Sequence, residues 1–153
     1  PIEEYFIKFN TLEEAFNYSY NGYQIVRVIE KDEYAFVVYS NDGGTTRQYT
    51  HFIKNGNKWE VTSPNVGSTK IKATSKGFSI VTNRIKEKNS MFVCIGYLDT
   101  LYKNPDIRDS INSNFMLEKE FETAKFKSYS RIAIIENVPE DYYLIIEGEK
   151  IEI

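Results

Sequence analysis

Four consecutive segments with period-two side-chain alternation, at residues 23–30, 34–40, 47–54 and 58–62, constrain this chain more than any other feature. That period puts every second side chain on one face of an extended backbone, so each segment is expected as a strand. The connections leave no room for a crossover. Lys31-Asp32-Glu33 is short and polar, Asn41-Asp42-Gly43-Gly44 supplies residues tolerant of positive φ, and Asn55-Gly56-Asn57 is a hairpin signal. Strands joined this tightly run antiparallel, and the expectation is a four-strand meander.

A meander must cover its apolar face, and the cover is read just upstream. Thr11-Leu12-Glu13-Glu14 has the spacing of a capping box, in which the Thr side chain accepts from the Glu14 amide and Glu14 reaches back. Leu12, Ala15, Phe16 and Tyr20 follow on one helical face, and Asn21-Gly22 supplies a left-handed stop. This predicts a helix of about three turns lying on the meander.

Between residues 64 and 77 the composition turns to Ser, Thr, Gly and Lys, with Val66, Ile71 and Ala73 the apolar positions, which predicts a loop or a seam. The flanking stretches, 1–63 and 78–153, are each small for an independent core, so the 153 residues read as a single domain with two β-rich halves. In the second half, strands are expected at 78–85 and 91–98 around the charged turn Lys86-Glu87-Lys88-Asn89. Met91-Phe92-Val93-Cys94-Ile95 is continuously apolar, the pattern of a strand covered on both faces. Residues 115–126 fit either a helix or a pair of strands, and the lack of a clean helical stripe favours strands. Strands follow at 131–137 and 142–147, and Gly148 turns the chain into a last one at 150–153. The fold class is α+β, dominated by antiparallel sheet.

Hydrophobic residues at 41% and aromatics at 15%, with 12 Tyr and 10 Phe, supply enough apolar area to order such a chain. Lys plus Arg number 19 against 22 Asp plus Glu, a formal charge of −3, so no basic stripe is available for a phosphate backbone and nucleic acid is not an expected partner. From residue 132 onward, Glu136, Glu140, Asp141, Glu147, Glu149 and Glu152 face a single base, Lys150, an end that an anionic bilayer would repel. No apolar run approaches the roughly 20 residues of a membrane-spanning helix. The chain opens on Pro1 and not Met, which fits removal of an upstream segment, either a signal or lipid anchor or a trimmed disordered tail. Attachment to a membrane is expected only through such an anchor.

Candidate chemistry is sparse. His51 is the sole histidine and shares a strand face with Tyr49 and Ile53; Cys94 is the sole cysteine and sits in an apolar strand that raises a thiol pKa and hides the sulfur. A spatial His51–Cys94 pairing is conceivable, but structural roles for both are the expectation. Asp42 with its glycines, and Asp106-Ile107-Arg108-Asp109 with Asn112 and Asn114, are oxygen-rich clusters without the ligand spacing of a calcium loop, and read as turn formers. Neither a catalytic residue, a metal site nor a cofactor is assigned. The aromatics are more suggestive: Tyr34, Tyr39, Tyr49, Trp59, Tyr97 and Tyr102 offer area for a sugar or a peptide, with Tyr39, Tyr49 and Trp59 the named ligand-binding candidates, although cross-strand packing uses the same residues.

The order Gly56-Asn57-Lys58-Trp59-Glu60-Val61, Gly77-Phe78-Ser79-Ile80, Phe92-Val93-Cys94-Ile95-Gly96-Tyr97-Leu98 and Asn104-Pro105-Asp106-Ile107 is similar to a group of uncharacterised extracytoplasmic or lipoprotein domains of Gram-positive bacteria. The resemblance covers about residues 10–110 and the closing strand. It implies a helix and sheet followed by a small β-sandwich-like half, and a place outside the cytoplasm, secreted or lipid-anchored at the cell surface. It carries no catalytic residue to any position here. The resulting expectation is a non-catalytic domain that binds a protein, peptide or glycan. An intracellular domain recognising a protein partner is the alternative, and a hydrolase the third reading.

Overall fold

Residues 7–61 and 68–153 are described by the computed structural model; Thr62, the expected end of the fourth strand, and the first part of the expected seam lie outside them. The chain divides into two compact units, Pro1–Thr69 and Lys70–Ile153.

In the first unit, β1 (Ile7–Phe9) leads into α1 (Leu12–Ser19), followed by β2 (Gln24–Glu30), β3 (Tyr34–Ser40), β4 (Gln48–Asn55) and β5 (Lys58–Val61). The sheet order is β1-β5-β4-β3-β2, every pair antiparallel, so the expected meander is present with a three-residue strand added at its edge. Gly56 has φ 63 at the first of the two residues between the paired Asn55 and Lys58, the position where a type II′ turn demands positive φ. The helix is eight residues, shorter than expected, because the Tyr20 amide closes back on the Phe16 carbonyl at 2.8 Å and the backbone then leaves the helical region. Its start follows the cap: Thr11 Oγ1 accepts from the Glu14 amide at 3.2 Å and donates to the Glu14 carboxylate at 3.0 Å.

Register decides what α1 covers. Ala35, Val37 and Tyr39 of β3 lie opposite Phe52, Thr50 and Gln48 of β4, and this face gathers Ala15 and Phe16 of the helix, Phe52 and Trp59 into one core. The other face of the meander carries Phe36, Val38 and His51, which are also buried.

The second unit starts at Lys70, within β6 (Thr69–Ala73), a strand in the stretch expected to be a loop. Its five residues sit at a sheet edge with four of them exposed, and solvated Lys and Thr side chains on an edge strand have the composition of a loop. Then come β7 (Ser79–Ile85), a 3-10 turn (Lys86–Lys88), β8 (Ser90–Leu98), β9 (Ile107–Asp109), β10 (Met116–Glu122), β11 (Lys127–Glu136), β12 (Tyr143–Ile146) and β13 (Glu149–Glu152). One sheet has the order β10-β11-β8-β7-β6 and another β13-β12-β9. Residues 116–122 are extended, with a bulge between Lys119 and Phe121, so the strand reading of this ambiguous stretch holds. The apolar run at 91–95 lies in β8 between β7 and β11, buried throughout. Ile80, Val93, Ile95 and Ile135 of the larger sheet share a core with Leu144, Ile146 and Ile151 of the smaller. Among the described residues the chain is thus mostly antiparallel sheet with one short α-helix.

Two substitutions separate capping from packing on α1. Thr11→Ala is expected to lower the unfolding free energy by about 1 kcal/mol, and Phe16→Ala, which empties a buried ring site, by about 3–5 kcal/mol. Urea unfolding checks both, and Thr11→Ser should restore the wild-type midpoint.

Candidate functional site

The aromatics singled out in the sequence separate in space. Tyr39 and Trp59 point into the core beneath α1, where Tyr39 packs 4.4 Å from the Tyr20 ring and Lys54 Nζ lies 5.5 Å over the Trp59 ring. Burial pushes the Tyr39 phenol above its ordinary pKa, and the neighbouring Tyr20 adds to the rise. Tyr49 faces the other way, half-buried and opposite Val38. Tyr34 and Tyr97 are buried as well, and Tyr102 is half-buried, its ring tilted against Phe78 with centroids 4.5 Å apart and its hydroxyl donating to the Lys76 carbonyl at 2.7 Å. The six rings do not make one exposed platform: Tyr34, Tyr39, Trp59 and Tyr97 are buried, and Tyr49 and Tyr102 are half-buried.

His51 is buried on β4 with its ring edge-on to Phe36 at 6.3 Å. Cys94 is buried on β8, its Sγ 3.9 Å from a Glu120 carboxylate oxygen. They belong to different units.

The oxygen-rich clusters are turns with their carboxylates already employed. Asp42 accepts from the Ser40 hydroxyl at 2.6 Å and from the Thr46 amide at 2.9 and 3.1 Å, closing the loop between β3 and β4. The Ser40 hydroxyl, followed by the Thr46 amide, holds its carboxyl at about 2, down from an ordinary 3.8. Asp109 is buried at the end of β9 and accepts from the Ile111 and Ser113 amides at 3.1 and 2.8 Å and from the Tyr142 hydroxyl at 2.9 Å. Burial, with that carboxylate second, drives the Tyr142 phenol well above its ordinary pKa. Arg108 spans Asp106 with two bonds of 2.9 and 3.2 Å. Among the described residues, no group of three or more His, Cys, Asp or Glu side chains is placed to hold a metal ion, and no helix is long and apolar enough to cross a membrane.

A groove of about 440 Å³ lies in the second unit. Lys70, Ile71 and Lys72 of the edge strand β6 form one wall, Ile80 and Thr82 of β7 the floor, and Glu152 with Ile153 at the end of β13 the other wall. Ile71 is 73% exposed and Ile153 42%, whereas Ile80 at the floor is fully buried. Lys72 Nζ donates to the Glu152 carbonyl at 3.4 Å, drawing one lysine across the mouth. The groove's charged side chains are Lys70, Lys72 and Glu152. With no histidine, cysteine or paired carboxylates in its lining, the groove offers contact area, main chain and charge. Sequence reasoning passed over these residues. The available signal was the alternation Thr69-Lys70-Ile71-Lys72-Ala73, too short to outweigh the loop-like composition around it.

Comparison with known proteins yields no matching family model, curated protein or solved structure.

Asp42 provides a pH test of the loop it closes. A carboxyl with a lowered folded pKa stabilises the fold fully above its unfolded value near 3.8, and that contribution is lost as pH falls through about 2. The Thr46 amide resonance should therefore titrate with a midpoint near 2, and Asp42→Asn should remove the titration while leaving the sheet intact.

Proposed function

We propose that this chain is a non-catalytic binding domain, secreted or lipid-anchored at the surface of a bacterial cell, that takes a peptide, protein or glycan into the groove between β6 and β13. The observation that carries the reading is the groove itself: an apolar floor, exposed isoleucines and a charged rim beside a sheet edge. Burial of His51 and Cys94 supports a binding role over a hydrolytic one, because a general base or nucleophile has to reach its substrate. The placement outside the cytoplasm rests on the order of the Trp59, Gly77 and Asn104-Pro105 motifs. With it goes a finer architecture, a β-sandwich-like second unit, supported by the core that Val93 and Ile135 share with Leu144 and Ile146.

A panel of peptides, glycans and cell-wall fragments titrated into the ¹⁵N-labelled protein tests this. The expected result is a ligand that shifts the amides of Lys70, Lys72 and Ile153 saturably and is recovered chemically unchanged, with Trp59 emission unaffected because that ring lies in the other unit's core. Turnover of any of these compounds that disappears in His51→Ala would overturn the reading, as would surface-protease treatment of the source cells that leaves the protein untouched.

A further inference from the structure

We propose that Asn55 is a site of spontaneous modification, deamidating through attack by the Gly56 main-chain nitrogen, and that the product loosens the hairpin of β4 and β5. The site lies in the first unit and is independent of the groove. Three observations meet at this turn. Asn55 is followed by glycine, and residues 55–58 are all exposed, so solvent base reaches both reacting groups. Gly56 stands outside the register, between the paired Asn55 and Lys58, so its amide takes no part in the ladder. Glycine has no side chain to shield that nitrogen, and nothing lies within 4 Å of where a Cβ would sit. The turn also supplies its own control. Asn57 is followed by Lys58, which is paired and whose side chain crowds the corresponding nitrogen.

The Gly56 nitrogen gives its proton to hydroxide and bonds to Asn55 Cγ. The Cγ–Nδ2 bond breaks, and ammonia leaves with a proton from water, which regenerates the hydroxide and closes a succinimide ring. Water then adds to one of the two ring carbonyls. Opening at Cγ gives aspartate, and opening at the main-chain carbonyl gives isoaspartate, in which the chain runs through Cβ and Cγ. Either product carries a carboxylate in place of the amide and releases one proton.

The hairpin is built around the amide that is lost. Asn55 Nδ2 donates to Glu60 Oε1 at 3.0 Å, across the diagonal of the β4–β5 pairing. Conversion removes that donor and sets a carboxylate against Glu60, and like charges at neighbouring cross-strand positions destabilise the pair. The cations on the same side are already engaged: Lys8 Nζ of β1 lies 3.7 Å from the Glu60 carboxylate, and Lys58 Nζ donates to Asn10 Oδ1. Isoaspartate also inserts a main-chain carbon just before a two-residue turn, which has no slack to absorb it. The strand after the turn carries Trp59, buried in the core shared with α1. Asn21-Gly22, in the turn after α1, is the same dipeptide away from this hairpin and serves as a reference.

The test ages the protein in ¹⁸O-labelled water at mildly alkaline pH and sequences the chymotryptic peptide 53–59, released after Phe52 and Trp59, by tandem mass spectrometry. Position 55 is expected to appear as aspartate and isoaspartate carrying ¹⁸O, faster as pH rises because the attacking nitrogen must lose its proton, with Asn57 unlabelled. Asn55→Asp and Asn21→Asp then add the same charge at the two Asn-Gly turns. Asn55→Asp should speed hydrogen exchange of the paired β5 amides about fivefold, and Asn21→Asp should leave them unchanged. Adding Glu60→Gln to Asn55→Asp should restore slow exchange, because the glutamine amide donates to the new carboxylate. An Asn55 that stays unlabelled, or equal label at Asn55 and Asn57, would overturn the modification site. An Asn55→Asp chain that exchanges like Asn21→Asp, or one that Glu60→Gln does not rescue, would overturn the loosening of the hairpin.

Discussion

The second unit depends on β8 being buried on both faces. Every residue from Ser90 to Ile95 is buried, and the strand has β7 on one side and β11 on the other, so its main-chain groups are paired as completely as its side chains are packed. Each buried Ile, Val, Phe or Met side chain contributes roughly 1.5–3 kcal/mol by leaving water. Burial then falls away strand by strand toward the edges. β10 and β6 are mostly exposed, with Leu117 and Ile71 open to solvent. A sheet organised in this way has an inert centre, and anything it recognises has to be recognised at its rim.

The same gradient explains which parts of the molecule were legible in the sequence. Strands long enough to show a period, or apolar enough to be buried on both sides, could be read directly: β3, β4, β7 and β8 lie within a residue or two of their expected positions. So could features set by local backbone chemistry, namely the Thr11 cap and the Gly56 turn. The missed elements are β1, β6 and β9, of three, five and three residues. A three-residue strand shows one and a half periods, and its existence is decided by a partner distant in sequence, such as β5 for β1 and β12 for β9.

The candidate site was illegible for a related reason. Tyr and Trp serve cores and binding surfaces equally well, and the choice between them is made by whether a second layer covers the face. Tyr39 and Trp59 are under α1, a contact that alternation alone does not specify, whereas Tyr49 lies on the opposite face. Conversely, Lys70 and Lys72 read as loop residues, because what makes their segment a strand is its pairing at a sheet edge. Asp42 and Asp109 were readable as turn residues, since a carboxylate two to four positions before an amide is the usual means of closing such turns.

The account turns on β6 being a strand paired with β7 and not a loop. Amide hydrogen exchange on the unliganded protein tests that most directly. Amides between Lys70 and Ala73 that pair with β7 should be protected well beyond the rate of an unstructured chain. Uniformly fast exchange across these residues would make the segment a loop and contradict the account.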